Sequence, residues 1–227
     1  VVWSTDGERV VFAGRDGMHL RVLNAAAGQQ MLLPYAGQFM AVHDWSRDGR
    51  FILYSTIDSR TGRLELSALP LDGDRKPLTL GPAGSDAKFS PNGRWFAYVS
   101  DESGRNEIYV RRFDPSSISR SSEAATTYEI VSRGNVAAML GWRDDGRELW
   151  YVTPDSTVMG VALKTDRMVE AGEPMSLFQI PSGVRQGLPG ARVISTDGER
   201  FLIGVPTRRS TQVPFTVVLN WPALMRN

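Results

Sequence analysis

Two histidines, His19 and His43, and a scatter of carboxylates are the residues of this sequence best suited to acid–base or metal chemistry. A transition-metal site gathers three or four His, Cys or carboxylate donors. The chain has no Cys, and its two His stand far apart, so neither a metal nor another cofactor is expected. His43, just ahead of Asp44-Trp45, could face a channel and titrate near neutrality. The plainer reading, a solvated or hydrogen-bonded strand histidine, is preferred. No G-x-S-x-G elbow is present, and so few His leave little material for a Ser-His-Asp triad. Asp6, Asp48, Asn92, Asp145 and Asp197 each precede a Gly, which invites comparison with calcium loops or sialidase-like Asp boxes. A calcium loop converges several oxygens, however, and each of these turns offers one. Stabilising its own turn is therefore the role expected of each, with the neighbouring Ser bonding nearby backbone.

Those residues belong to a unit that returns five times: a bulky apolar residue, usually Ser, a variable residue, Asp-Gly or Asn-Gly, then a hydrophobic run. The copies are Trp3-Ser4-Thr5-Asp6-Gly7, Trp45-Ser46-Arg47-Asp48-Gly49, Phe89-Ser90-Pro91-Asn92-Gly93, Trp142-Arg143-Asp144-Asp145-Gly146 and Ile194-Ser195-Thr196-Asp197-Gly198. Their Asp/Asn residues stand 42, 44, 53 and 52 positions apart. Asp-Gly and Asn-Gly suit the type I′ turn of a two-residue hairpin, with positive φ at both central residues. One hairpin per repeat of this length predicts β-propeller blades.

The third copy shows four strands in order. Asp86–Ser90 comes first. Trp95–Ser100 is nearly continuous in apolar residues, which suits a strand covered on both faces. Asn106–Phe113 alternates, as for a strand with one well-buried face, and Tyr128–Val131 forms the outer edge. Trp3, Trp45 and Trp142 share a register with Phe89 and Ile194 and are expected to be core. No helical period persists, Pro115–Thr127 reads as a mobile rim loop, and the fifth repeat ends after its third strand, Phe215–Leu219. The predicted fold is all-β: a propeller of four-stranded antiparallel blades, about five present, in a ring of six or more. Approximate blade limits are 1–36, 37–82, 83–134, 135–182 and 183–227, with further sequence expected upstream of Val1.

The chain has 227 residues, 41% apolar and 22% charged, with a net charge of +1. This is ordinary globular composition, without the basic footprint of a nucleic-acid binder. Neither a membrane-spanning run nor a signal peptide is visible. Arg111-Arg112 and Arg208-Arg209 read as rim surface. Ligands of such a fold would meet the connections from one outer strand to the next inner strand. The candidates there are Tyr35, Gln38 and Phe39, then Arg133 and Asn135, then Arg185 and Gln186, with His43 beside the channel; the plainer reading, that these loop residues are mere connectors, is preferred. A propeller enzyme acting on sugars would bring several carboxylates to the channel mouth, and only Asp44 and Asp86 lie near the presumed inner strands.

The stretch Phe89-Ser-Pro-Asn-Gly-Arg-Trp-Phe-Ala-Tyr-Val-Ser-Asp-Glu-Ser-Gly-Arg-Asn-Glu-Ile-Tyr-Val110 resembles the repeat of bacterial TolB-type, WD-like propellers. The resemblance covers essentially the whole chain. Gly141–Val152, Phe201–Ile203 and Pro214–Trp221 are similar to the C-terminal propeller of bacterial receptor-type Ser/Thr protein kinases. That resemblance implies a cytoplasmic kinase, often a membrane span, and then a propeller that senses or scaffolds by binding a protein, peptide or small ligand. The kinase signatures G-x-G-x-x-G, His-Arg-Asp and Asp-Phe-Gly are absent from these residues, so no catalysis is expected of this segment. The resemblance favours an extracytoplasmic location, with a cytoplasmic one as the alternative. A TolB-like periplasmic scaffold is the second functional reading. The third is the propeller of a prolyl oligopeptidase-type enzyme, which would need an α/β-hydrolase domain outside this segment.

Overall fold

The structure is a computed structural model that describes residues 1–24, 28–35, 39–57, 62, 64–82, 86–118, 128–132, 134, 136–180, 193–194 and 201–203. Four antiparallel sheets follow one another along the chain. The first contains β1 (Val2–Trp3), β2 (Arg9–Ala13), β3 (Gly17–Val22) and β4 (Gln30–Pro34). The second contains β5 (Met40–Trp45), β6 (Phe51–Ile57), β7 (Leu64–Pro70) and β8 (Leu78–Pro82). The third contains β9 (Ala87–Phe89), β10 (Trp95–Ser100), β11 (Glu107–Arg112) and, after the short helix α1 (Pro115–Ile118), β12 (Tyr128–Ile130). In the fourth, β13 (Ala138–Trp142), β14 (Glu148–Val152) and β15 (Thr157–Lys164) are followed by β16 (Glu170–Ala171) and β17 (Met175–Gln179), which both pair with β15. A fifth unit begins with the paired β18 (Val193–Ile194) and β19 (Leu202–Ile203). Each first strand adjoins the first strand of the next sheet: β1 beside β5, β5 beside β9, β9 beside β13. The chain is thus an all-β propeller of antiparallel four-stranded blades. The expected third strand of the fifth repeat, Phe215–Leu219, lies outside the described residues.

Alternation explains why the second strands are apolar throughout. Trp95, Ala97 and Val99 of β10 join Trp142, Leu149 and Tyr151 of the fourth sheet, whereas Phe96 and Tyr98 join Phe51, Leu53 and Leu66 of the second. One strand therefore supplies two cores, and neither face can be polar. Ile52, Tyr54 and Leu69 similarly meet Val11, Met18 and Leu32 of the first sheet. Phe201 of the fifth unit stands edge-on to Trp150 and Phe178 of the fourth, with centroids 5.3 and 5.0 Å apart.

Four expectations are corrected. The signature hairpins have four-residue loops, not two-residue type I′ turns. Ser4 N–H donates to Arg9 O (2.9 Å) and Gly7 N–H to Ser4 O (2.9 Å), and the same pairs recur at Ser46/Phe51, Ser90/Trp95 and Arg143/Glu148. Only the Gly has positive φ, between +68° and +76°; the preceding Asp or Asn does not. A type I turn closed by a left-handed residue leaves the Asp side chain free to accept the N–H two residues on. Glu8, Arg50, Arg94 and Arg147 donate to Asp6, Asp48, Asn92 and Asp145 at 2.9–3.1 Å. Second, β11 does not bury one face only: Glu107–Val110 are all buried, because the flanking sheets extend as far as the third strands. Third, Trp45, Phe89 and Trp142 are 6–9% exposed, each lying against the preceding sheet, but Trp3 is 50% exposed because among the described residues no sheet precedes its own. Fourth, α1 occupies the start of the stretch read as a rim loop, Pro115–Thr127.

A version of the signature turn one residue shorter joins β14 to β15, closed by Thr153 N–H to Thr157 O (3.0 Å). Thr153 Oγ1 donates to Asp155, Ser156 N–H donates to Thr153 O (2.9 Å), and Ser156 holds φ +69°, where the other copies place Gly. A left-handed L-residue costs roughly 1–2 kcal/mol, and the extra freedom of Gly in the unfolded chain returns up to about 1. Ser156→Gly should therefore raise stability by about 0.5 kcal/mol, read as a higher denaturation midpoint at unchanged slope.

Candidate functional site

The inner strands carry the ionisable residues nearest the propeller axis. In β5 the pairing with β6 shifts between Val42 and Asp44, so His43 is the unpaired residue of a bulge. A bulge re-aims a side chain, and the His43 imidazole meets Ser55 Oγ of β6 at 2.8 Å. Burial, and then the Lys88 ammonium, push its pKa from 6.5 down to about 4. The lowered value favours the neutral imidazole at physiological pH, the opposite of the titration near neutrality that a solvated channel-facing ring would give.

Asp44 and Lys88 each stand immediately before the bulky residue of their repeat, Trp45 and Phe89. Equivalent positions on adjacent blades thus carry opposite charges, and Lys88 Nζ lies 3.5 Å from Asp44 Oδ1 and donates to His43 O at 3.0 Å. Asp44 Oδ2 accepts the Phe89 N–H at 2.8 Å, crossing from the second sheet to the third. Burial raises the Asp44 carboxyl above its ordinary value, and Lys88 works against that rise. Asp86 makes the same kind of crossing one blade on, accepting Met139 N–H at 3.4 Å, and Trp142 Nε1–H donates to Lys88 O at 3.3 Å. Both inner-strand carboxylates therefore tie blade to blade. Among the described residues no three His, Asp or Glu side chains gather as metal ligands would.

At one end of the axis the signature turns meet. Thr5 Oγ1 donates to Arg47 O (3.2 Å), and Arg47 Nη2 pairs with Asp144 Oδ1 (2.8 Å), a contact from the second sheet to the fourth. The residues touching here occupy the variable position of the repeat. At the other end lies the β4–β5 connection, where Tyr35 and Phe39 are 47% and 60% exposed. Gln38, Arg133, Asn135, Arg185, Gln186 and the turn residue Asp197 lie outside the described residues. Sequence reasoning missed Lys88, Ser55, Arg47 and Asp144. Aligning the repeats exposes Lys88 opposite Asp44; Ser55 carries no signal, because its contact depends on the bulge.

No protein-family model matches the chain. An uncharacterized protein of Agrobacterium fabrum, Atu1656, is 32% identical over 85 residues, which are 37% of this chain and 28% of that protein. Among solved structures, TolB from Acinetobacter baumannii superposes with a TM-score of 0.58 at 17% identity, over 78% of this chain and 42% of that one. A TolB described from Agrobacterium tumefaciens gives 0.56 at 16% identity, over 78% and 64%. An auxiliary nutrient binding protein from Bacteroides thetaiotaomicron gives 0.54 at 12% identity, over 84% and 43%. The matched region spans less than two thirds of each of these proteins. Sheet order, blade-to-blade packing and superposition agree, and the chain has the fold of a TolB-like β-propeller.

Proposed function

We propose that this propeller is a non-catalytic interaction domain, binding a protein or peptide through the connection end that carries Tyr35 and Phe39. The contrast between the two kinds of candidate residue supports this reading. The inner-strand groups Asp44, Asp86, Lys88 and His43 are engaged with one another, with backbone or with Ser55, while the two aromatic rings stand in solvent. Exposed aromatics on loops of a rigid scaffold are the anchors that interfaces use. The resemblance of Gly141–Val152, Phe201–Ile203 and Pro214–Trp221 to the C-terminal propeller of bacterial receptor-type Ser/Thr protein kinases supports a role in which binding is relayed to a kinase domain. A TolB-like periplasmic scaffold is the second reading, favoured by the superposition on TolB. A kinase signature in the intact protein ahead of this segment selects the first, and a secretion signal there selects the second.

The binding claim is tested by a photo-crosslinking amino acid at Phe39 in the full-length protein in its own cells. A discrete adduct that weakens about tenfold when Tyr35→Ala is added is the expected outcome, equivalent to about 1.4 kcal/mol. The same probe at Met168, 67% exposed on another blade, should give no such adduct. Equal labelling at both sites, or none at Phe39, would count against the reading.

A further inference from the structure

Among the described residues, the outer strand of each of the four blades leaves one row of backbone N–H and C=O groups without a strand partner, and folded proteins protect such edges with charge, Pro, short length or a covering element. Three of the four outer strands here are protected. β4 ends on Pro34. β8 ends on Gly81-Pro82, has α1 packed beside it, and its Leu80 O accepts from Arg111 Nη1 of the third sheet. β12 is only three residues long. β17, Met175-Ser-Leu-Phe-Gln179, has no Pro, Gly or charge over five residues, and among the described residues it pairs only with β15. β4, β8 and β17 all carry a bulge, so that feature does not separate them. Met175 and Leu177 of β17 are 62% and 39% exposed.

We propose that the open edge of β17 pairs antiparallel with β17 of a second copy of the chain, joining two fourth blades into one continuous sheet. An extended strand is the partner that satisfies a row of main-chain donors and acceptors, and an isologous pair is the commonest closed arrangement of identical chains. Because the strand carries no charge, laying it on itself opposes no like charges, and the exposed Met175 and Leu177 of both copies line the joint. Two five-residue strands cover little area beside a standard interface, so the dimer is weak and concentration-dependent.

The direction of the free groups supplies a second variant. Ile180 N–H donates inward to Ser156 O at 2.8 Å. Inward and outward N–H groups alternate along a strand, so the Gln179 N–H points to the open edge. Gln179→Pro removes that donor and leaves the main-chain bonds to β15 in place, as edge strands allow, while it also removes the exposed Gln179 Nε2–H bond to Asp155 O (3.3 Å).

The experiment is sedimentation of the full chain over a wide concentration range. A dimer is expected to build with concentration, and Met175→Lys and Gln179→Pro should each weaken association by about tenfold or more while leaving the unfolding transition in place. Met31→Lys on the exposed part of β4 should leave the dimer unchanged. A chain that is monomeric throughout, or a dimer that survives both β17 variants, overturns the proposal. So does a monomer whose β17 edge captures only strands of other proteins.

Discussion

Phe113→Ala should lower the stability of this propeller by about 3–5 kcal/mol, the range for removing a buried aromatic ring when its surroundings relax only partly. Phe113 follows β11, and its N–H donates to Arg94 O at 2.8 Å, which fixes the chain as it leaves the third blade. Its ring then stands edge-on to Phe51 of the second sheet and Phe89 of the third, both at 5.0 Å, and to Phe96 at 6.3 Å. Edge-to-face pairs add about 0.5–1.5 kcal/mol each beyond burial, so the loss falls on the joint between two blades as well as on one side chain. Denaturant unfolding measures it. A Phe113→Leu variant, which keeps most of the apolar volume but none of the ring contacts, should recover more than half of the loss. A loss below about 1 kcal/mol for Phe113→Ala would mean that the second and third sheets are held by something other than this cluster.

The same residue shows which parts of the molecule the sequence discloses. Recurring Asp-Gly turns followed by apolar runs mark the blades, because turn chemistry and the burial of both strand faces are local demands written into neighbouring residues. Phe113 reads as the last residue of an alternating strand, and nothing local says that its ring pins one blade to another. Trp3 and Trp45 are identical in type and register, yet only Trp45 is buried, since burial belongs to the neighbouring sheet as much as to the residue. At the axis, Asp44 and Asp86 were legible as carboxylates near inner strands. Their bonds to Phe89 N–H and Met139 N–H depend on how far one blade stands from the next, a distance that no spacing along the chain encodes. His43 is the sharpest case: its environment follows from a one-residue bulge, and the pattern of apolar residues is the same with or without it.

That bulge makes the protein acid-sensitive in a way one substitution should remove. In the unfolded chain His43 titrates near 6.5, and in the folded protein near about 4. A folded value below the unfolded one means that the native state holds the neutral ring. The stabilisation is complete above about pH 6.5 and is lost as pH falls from there towards 4, below which both states are protonated. At about 1.4 kcal/mol per pH unit the loss approaches about 3 kcal/mol. Asp44 acts in the opposite sense: its folded carboxyl lies above its unfolded value, so the native state binds that proton first and recovers some stability at the acid end. Lys88 links the two, since protonating Asp44 removes the charge that offsets the ammonium held on the His43 carbonyl, and a charged imidazole is then less tolerable still. Urea unfolding between pH 7.5 and 4 should show the decline in the native sequence. In His43→Gln, which retains a hydrogen-bonding group for Ser55 but has no titrating proton, the decline over that range should shrink to what the surface carboxylates contribute. If both proteins lose stability in parallel, the His43 ring is solvated in the folded state and the bulge does not bury it.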